Sequence, residues 1–174
     1  EKNTVYVQIA LEGTDTIYYF GSTTIDIKDN VYGLEKKLPN DEIVYKEGEI
    51  YSKVKRLESE RNISRIPIIS SAKINTTAVT GNRVDLRVDI ILNKKNEITP
   101  YIKGANFENR FYLGAGLRYL NKFFLSGNRT LMLELEEDFN SSDINRTELS
   151  ATVTQPHFLR RNITFTDKLT IGFN

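Results

Sequence analysis

The order of local signals predicts an α+β unit, a three-stranded sheet with two helices, followed by an all-β antiparallel meander. Two observations carry this. The first 95 residues alternate strand-like and helix-like segments in the order β, short helix, helix, β, β. From Asn96 onward every segment alternates apolar and polar residues with a period of two, and none has the helical period.

Thr4 to Leu11 alternates, with Val5, Val7, Ile9 and Leu11 on one face, and Glu12-Gly13-Thr14-Asp15 is a turn signal. Thr16 to Ile27 is a second β-rich run, broken near Gly21. Val31 to Leu38 is expected to form a short helix stopped by Pro39. Ser52 is a plausible N-cap for a helix over Ser52–Arg65, which lacks Gly and Pro and is ended by Pro67. Its apolar stripe is imperfect: Val54 and Leu57 share one side, whereas Ile63 and Ile66 lie well around from them. Ile68 to Val79 is extended, Thr80-Gly81-Asn82-Arg83 reads as a hairpin turn, and Val84 to Leu92 alternates cleanly.

After Asn93-Lys94-Lys95-Asn96, five strands are expected: Glu97–Asn106, Arg110–Leu120, Thr130–Phe139, Arg146–Gln155 and Asn162–Phe173. The turns between them are rich in Asn, Ser and Gly. Strands of about 9–11 residues are long enough to cross a bilayer when tilted. The pattern fits the wall of a transmembrane β-barrel and equally a soluble sandwich or half-buried sheet. Five strands cannot close a barrel, which needs about eight or more. Under the barrel reading the lipid-facing residues are Phe111, Leu113, Leu117, Leu131, Leu133, Leu135, Leu149, Val153 and Phe165.

Composition narrows the chemistry. The 174 residues carry 24 Lys plus Arg against 23 Asp plus Glu, a balance that argues against a nucleic-acid partner held by bulk charge. With no Cys and one His, disulfide scaffolds and thiolate or multi-histidine metal sites are excluded within the chain. No apolar run approaches the roughly 18 residues of a membrane helix. The chain opens at Glu1 without a signal segment and closes at Asn174 inside a strand-like run, so it is expected to be a piece of a longer protein. No catalytic residue, metal site or cofactor is assigned. His157, beside Pro156 at a strand end, reads as a turn residue. Glu134, Glu136, Glu137 and Asp138 read as a polar strand face running into a loop rather than a cation site, because Glu137 points opposite to Glu134 and Glu136. The mixed charges Lys53, Lys55, Arg56, Glu58, Glu60, Arg61 and Arg65 read as a solvated helix face.

Several stretches, in order, resemble the outer-membrane protein assembly factor superfamily, whose BamA-like and TamA-like members carry periplasmic POTRA domains followed by a barrel of about 16 strands. Val5 to Gly13 followed by Tyr19-Phe20-Gly21 looks like a junction between two POTRA domains. Gly48-Glu49-Ile50-Tyr51 looks like the start of the second POTRA helix, and Arg61 to Ile66 with Ala72-Lys73-Ile74 its end and the next strand. Val84 to Ile90 resembles the final strand. Leu113-Gly114-Ala115-Gly116-Leu117, Asn121 to Phe124 with Ser126-Gly127, and Thr152 to Phe158 resemble the start of the barrel. The chain departs from the superfamily at Pro67 and Ile69, where Gly and an aromatic residue are usual. The Tyr19-Phe20-Gly21 stretch is closer to the TamA-like branch.

The resemblance implies residues 1–13 as the end of a preceding POTRA domain, 14–95 as the last one, and 96–174 as the first strands of an incomplete barrel. It further implies a bacterial outer-membrane protein, with the POTRA part in the periplasm, that assembles other outer-membrane proteins by templating their strands. It implies a client-binding POTRA edge strand, with Ser71, Lys73, Asn75 and Thr77 along it, and a barrel seam strand containing Thr99, Pro100, Tyr101, Ile102, Lys103 and Gly104. Pro100 and Gly104 are expected to leave that strand's ladder incomplete. The implied partners are unfolded outer-membrane protein clients, outer-membrane lipid and accessory assembly subunits. Alternatives are the POTRA-barrel part of a patatin-like phospholipase, or a soluble secreted β-rich adhesin.

Overall fold

The computed structural model describes residues 16–107, 110–139, 146–156 and 163–173. The expected strand over Thr4–Leu11 and His157 lie outside the described residues.

The front unit is a three-stranded sheet in the order β1-β3-β2. Strand β1 (Tyr19–Lys28) runs parallel to β3 (Arg83–Leu92), and β2 (Ile69–Thr80) runs antiparallel to it. The period of two in β3 dictates its two faces. Val84, Leu86, Val88 and Ile90 are buried, whereas Asp85, Arg87 and Asp89 point away from the core. Asp85 ties β3 to β1 by accepting from the Ser22 amide at 2.7 Å. This bond sits at the register shift between Phe20 and Thr23, where a Cβ on Gly21 would meet the Asp85 carboxylate at 2.2 Å. The break expected near Gly21 is thus a bulge inside one strand.

Helix α1 is shorter and later than expected, Lys37–Asn40, with Pro39 inside it. Asn30 explains the delay. Its side chain accepts from the Leu34 amide at 2.8 Å and donates to the Leu34 carbonyl at 2.9 Å, and Gly33 takes φ +68°, so residues 30–34 are held as a loop. Proline fits the first helical turn, where its missing N–H has no partner to lose. Helix α2 (Lys53–Ser64) starts where its cap predicts, with Ser52 Oγ accepting from the Lys55 amide at 3.4 Å. Its imperfect stripe is resolved by direction: Ser59 and Ile63 are buried, while Val54 and Leu57 face solvent. Ser59 Oγ donates to the Lys55 carbonyl at 2.8 Å and accepts from the Val44 amide at 3.0 Å, which lets a hydroxyl sit in the core fully satisfied.

The core gathers Phe20, Ile63, Ile66, Ile68, Ile74, Leu86, Val88 and Ile90, each such burial contributing roughly 1.5–3 kcal/mol. The Phe20 ring stacks on Tyr45 with centroids 4.0 Å apart, and burial pushes the Tyr45 hydroxyl above its usual pKa. One further member of this core, Phe123, comes from the back half of the chain.

The back half is a five-stranded antiparallel meander: β4 (Asn96–Phe107), β5 (Arg110–Asn121), β6 (Thr130–Phe139), β7 (Arg146–Gln155) and β8 (Phe165–Phe173). Four strands begin and end within a residue of expectation. The fifth starts at Phe165 rather than Asn162, with residues 163 and 164 outside it. A 3-10 turn, Phe124–Ser126, follows β5. It turns Phe123 back onto the front unit, where Lys95 Nζ lies 5.8 Å from the Phe123 ring centroid and the Tyr32 hydroxyl accepts from the Lys95 amide at 3.3 Å.

Candidate functional site: two sheet edges and an apolar face

The meander separates its residues by parity. On one face Ile98, Ile102, Phe111, Leu113, Leu117, Leu133, Leu135, Leu149, Phe165, Leu169, Ile171 and Phe173 are all exposed, Ile102 by 79% and Leu169 by 66%. Leu131 and Val153 lie on the same face, half-buried. The opposite face is polar and, over β6 and β7, more enclosed, with Ser150 and Thr152 buried, whereas β8 is exposed on both faces. There Tyr101 donates to Glu136, Lys103 pairs with Glu136 and also with Asp138 at 3.3 Å, and Arg118 Nε donates to Glu134 at 2.7 Å. The Arg118 guanidinium also lies 5.1 Å from the Tyr101 ring centroid. Two glycines make this network possible. A Cβ on Gly116 would meet the Tyr101 ring at 2.5 Å, and one on Gly114 would meet Asp138 at 2.4 Å. The acidic run Glu134, Glu136 and Asp138 is therefore paired with Arg118 and a shared Lys103, and among the described residues no cluster of side chains is arranged to hold a metal ion.

A soluble sandwich buries its apolar row and exposes its polar one. This sheet does the reverse over β5 to β7, where the apolar row is open and the polar row more enclosed. Pattern alone left the two readings equal, because parity does not say which row is covered.

The sheet is open on both sides, since β4 and β8 are its edge strands. The β4 ladder to β5 runs without a shift from Asn96↔Asn121 to Phe107↔Arg110. Pro100 pairs with Leu117 and Gly104 with Leu113 in this unbroken register, so neither shifts the pairing on the β5 side. Within β4, Thr99, Tyr101 and Lys103 lie on the polar face, and Pro100, Ile102 and Gly104 on the apolar one.

The front sheet also has two edges, β1 and β2. The start of β1 is covered by residues 48–51: Phe20 donates to the Glu49 carbonyl at 2.8 Å, and Gly48 to the Phe20 carbonyl at 2.8 Å. Glu49 itself is held below the usual carboxylate range by its hydrogen bond from Lys55. Along β2, Ser71, Lys73 and Asn75 project from the sheet face opposite the core. Asn75 donates to Asp89 at 2.7 Å, and Thr77, at the second register shift, donates its hydroxyl to the Asp85 carbonyl at 3.1 Å. The outward backbone groups belong instead to the alternate residues, as Ile74 shows: both its N–H and its C=O bond to α2 side chains and not to β3. Ser71, Lys73 and Asn75 thus alternate along this edge strand with the rungs whose backbone groups face outward.

Where the two halves meet, an open cleft of about 510 Å³ lies between Leu38, Asp41 and Glu42 on one side and Asn128, Arg129 and Pro156 on the other.

Among solved structures the chain is similar to BamA from Haemophilus ducreyi, in a crystal form lacking POTRA domains 1–3, with a TM-score of 0.63 and 14% identity over 89% of this chain. The chain has a BamA-like fold. It is also similar to CdiB from Acinetobacter baumannii, with a TM-score of 0.58 and 12% identity over 80% of this chain. The BamA-like region is a fraction of those proteins: the chain spans 27% of the BamA chain and 26% of the CdiB chain. No protein-family model matches the sequence, and no curated protein matches it.

Proposed function

We propose that the chain is the membrane-proximal part of an outer-membrane protein assembly factor. In this reading residues 14–95 are the last POTRA domain, in the periplasm, residues 1–13 end the one before it, and residues 96–174 are the first strands of the barrel. The observation that carries the reading is the inverted sheet: an exposed apolar row over a paired polar row, attached to a small α+β unit. Phe111, Leu113, Leu117, Leu131, Leu133, Leu135, Leu149, Val153 and Phe165 then face lipid.

The mechanism is strand templating. Every backbone polar group entering the bilayer core must be satisfied by another strand. An unfolded outer-membrane client would gain such partners at open edges, first on β2 in the periplasm and then on β4, the seam strand, through the region Thr99–Gly104. The energy comes from hydrogen bonds and barrel closure, with no covalent step. Accessory subunits would dock on the periplasmic part.

Deleting residues 16–95 from the full-length protein tests this. Newly made outer-membrane proteins should lose the heat-modifiable, folded form in membrane fractions while the barrel itself remains in the membrane. Normal client folding after that deletion would overturn the reading.

A further inference from the structure

The middle of the β2 edge is already occupied, from within. Arg56 Nη1 donates to the Ile74 carbonyl at 2.9 Å, and the Ile74 amide donates to Glu60 Oε2 at 3.2 Å. Arg56 and Glu60 are four residues apart on α2, so one helical turn sets them side by side. Together they present one donor and one acceptor, the two groups that a residue of a neighbouring strand would present at that rung. By the period of two, Ala72 and Thr76 carry the flanking outward pairs between the register shifts at Ile69/Ser71 and Thr76/Ala78. Among the described residues neither has such a cap.

We propose that α2 holds the β2 edge closed, the Arg56–Glu60 pair acting as a built-in competitor that an incoming strand must displace. This rests on the edge-docking reading given above. A strand spanning Ala72 to Thr76 cannot form without the Ile74 rung, so docking and the helix contacts exclude each other. The closed arrangement is poised to release. Arg56 Nε is buried and finds no acceptor among the described residues, a loss that moving the guanidinium into water would relieve.

The surroundings specify the occupant. On the helical wheel Leu57 follows the Arg56–Glu60 row toward solvent and is 38% exposed, so one side-chain row of an added strand meets an apolar residue. The other row continues the face carrying Lys73, Asn75 and Asp89, which is polar and charged. An amphipathic strand of the barrel type fits both, and β8 of this chain, Phe165–Phe173, is such a strand.

The test uses the full-length protein in detergent micelles and a fluorescein-labelled peptide with the β8 sequence, read by anisotropy. Removing the competitor in the double variant Arg56→Ala/Glu60→Ala should tighten binding about tenfold, the gain expected when a binding-competent state rises from a minor to a major population. Thr76→Pro, which deletes an outward N–H at an exposed position, should abolish that gain. Amide exchange at Ile74 should rise in Glu60→Ala while Val88, in the central strand, stays protected and reports an intact fold. If the double variant binds no tighter but Thr76→Pro still weakens binding, the competitor is overturned and edge docking stands. If Thr76→Pro leaves binding unaltered in both backgrounds, the peptide sits elsewhere and both fall.

Discussion

Ser59 shows how much one side chain can decide. A serine in the middle of a helix is a poor helix former and an unremarkable surface residue. Here it has no exposed area, and its hydroxyl holds the Val44 amide of the preceding loop against α2. Ser59→Ala would remove the acceptor of that amide, which belongs to an exposed residue, so the urea midpoint of the front unit's tyrosine signal should fall by the equivalent of about 0.5–1.5 kcal/mol. An unchanged midpoint would mean the loop is held by other contacts. Nothing in the sequence marks Ser59, because its role depends on a chain segment 15 residues away. The same holds for Arg56 and Glu60, which read as part of a solvated charged face. Their partner is a backbone rung that only the sheet order reveals.

At the scale of elements, strands were the legible part. Period-two alternation and Asn- and Gly-rich turns located β3 and β4 to β7 within a residue or so, since each strand writes its two faces directly into the sequence. The short helix was misplaced because Asn30 closes a loop through its side chain, a local competition that apolar spacing does not register. Parity also left open which row is covered, and that is the question on which the bilayer reading turns. It can be asked directly with single Trp probes, because these 174 residues contain none and any Trp elsewhere in the intact protein can be replaced. In the intact protein reconstituted in vesicles, Leu133→Trp should be strongly quenched by brominated acyl chains, and Thr154→Trp, on the polar face, should not. Equal quenching at both positions would contradict a lipid-facing apolar row.

At the scale of the whole molecule, the two halves share one residue that matters more than its position suggests. Phe123 is 2% exposed and packs with the front unit, although it follows β5. Phe123→Ala should cost about 3–5 kcal/mol, the usual penalty for emptying a buried phenyl site, and should loosen protection of the front-sheet amides while leaving those of β6 and β7 intact. A loss confined to the meander would show that the joint carries no load. If the joint does carry it, synthesis from the N-terminus releases a sheet and two helices whose interior still lacks a ring, and that ring arrives only with the hairpin made next. The front unit would therefore set rigidly only once the first hairpin is in place, so its rigidity would report that the meander has begun to form.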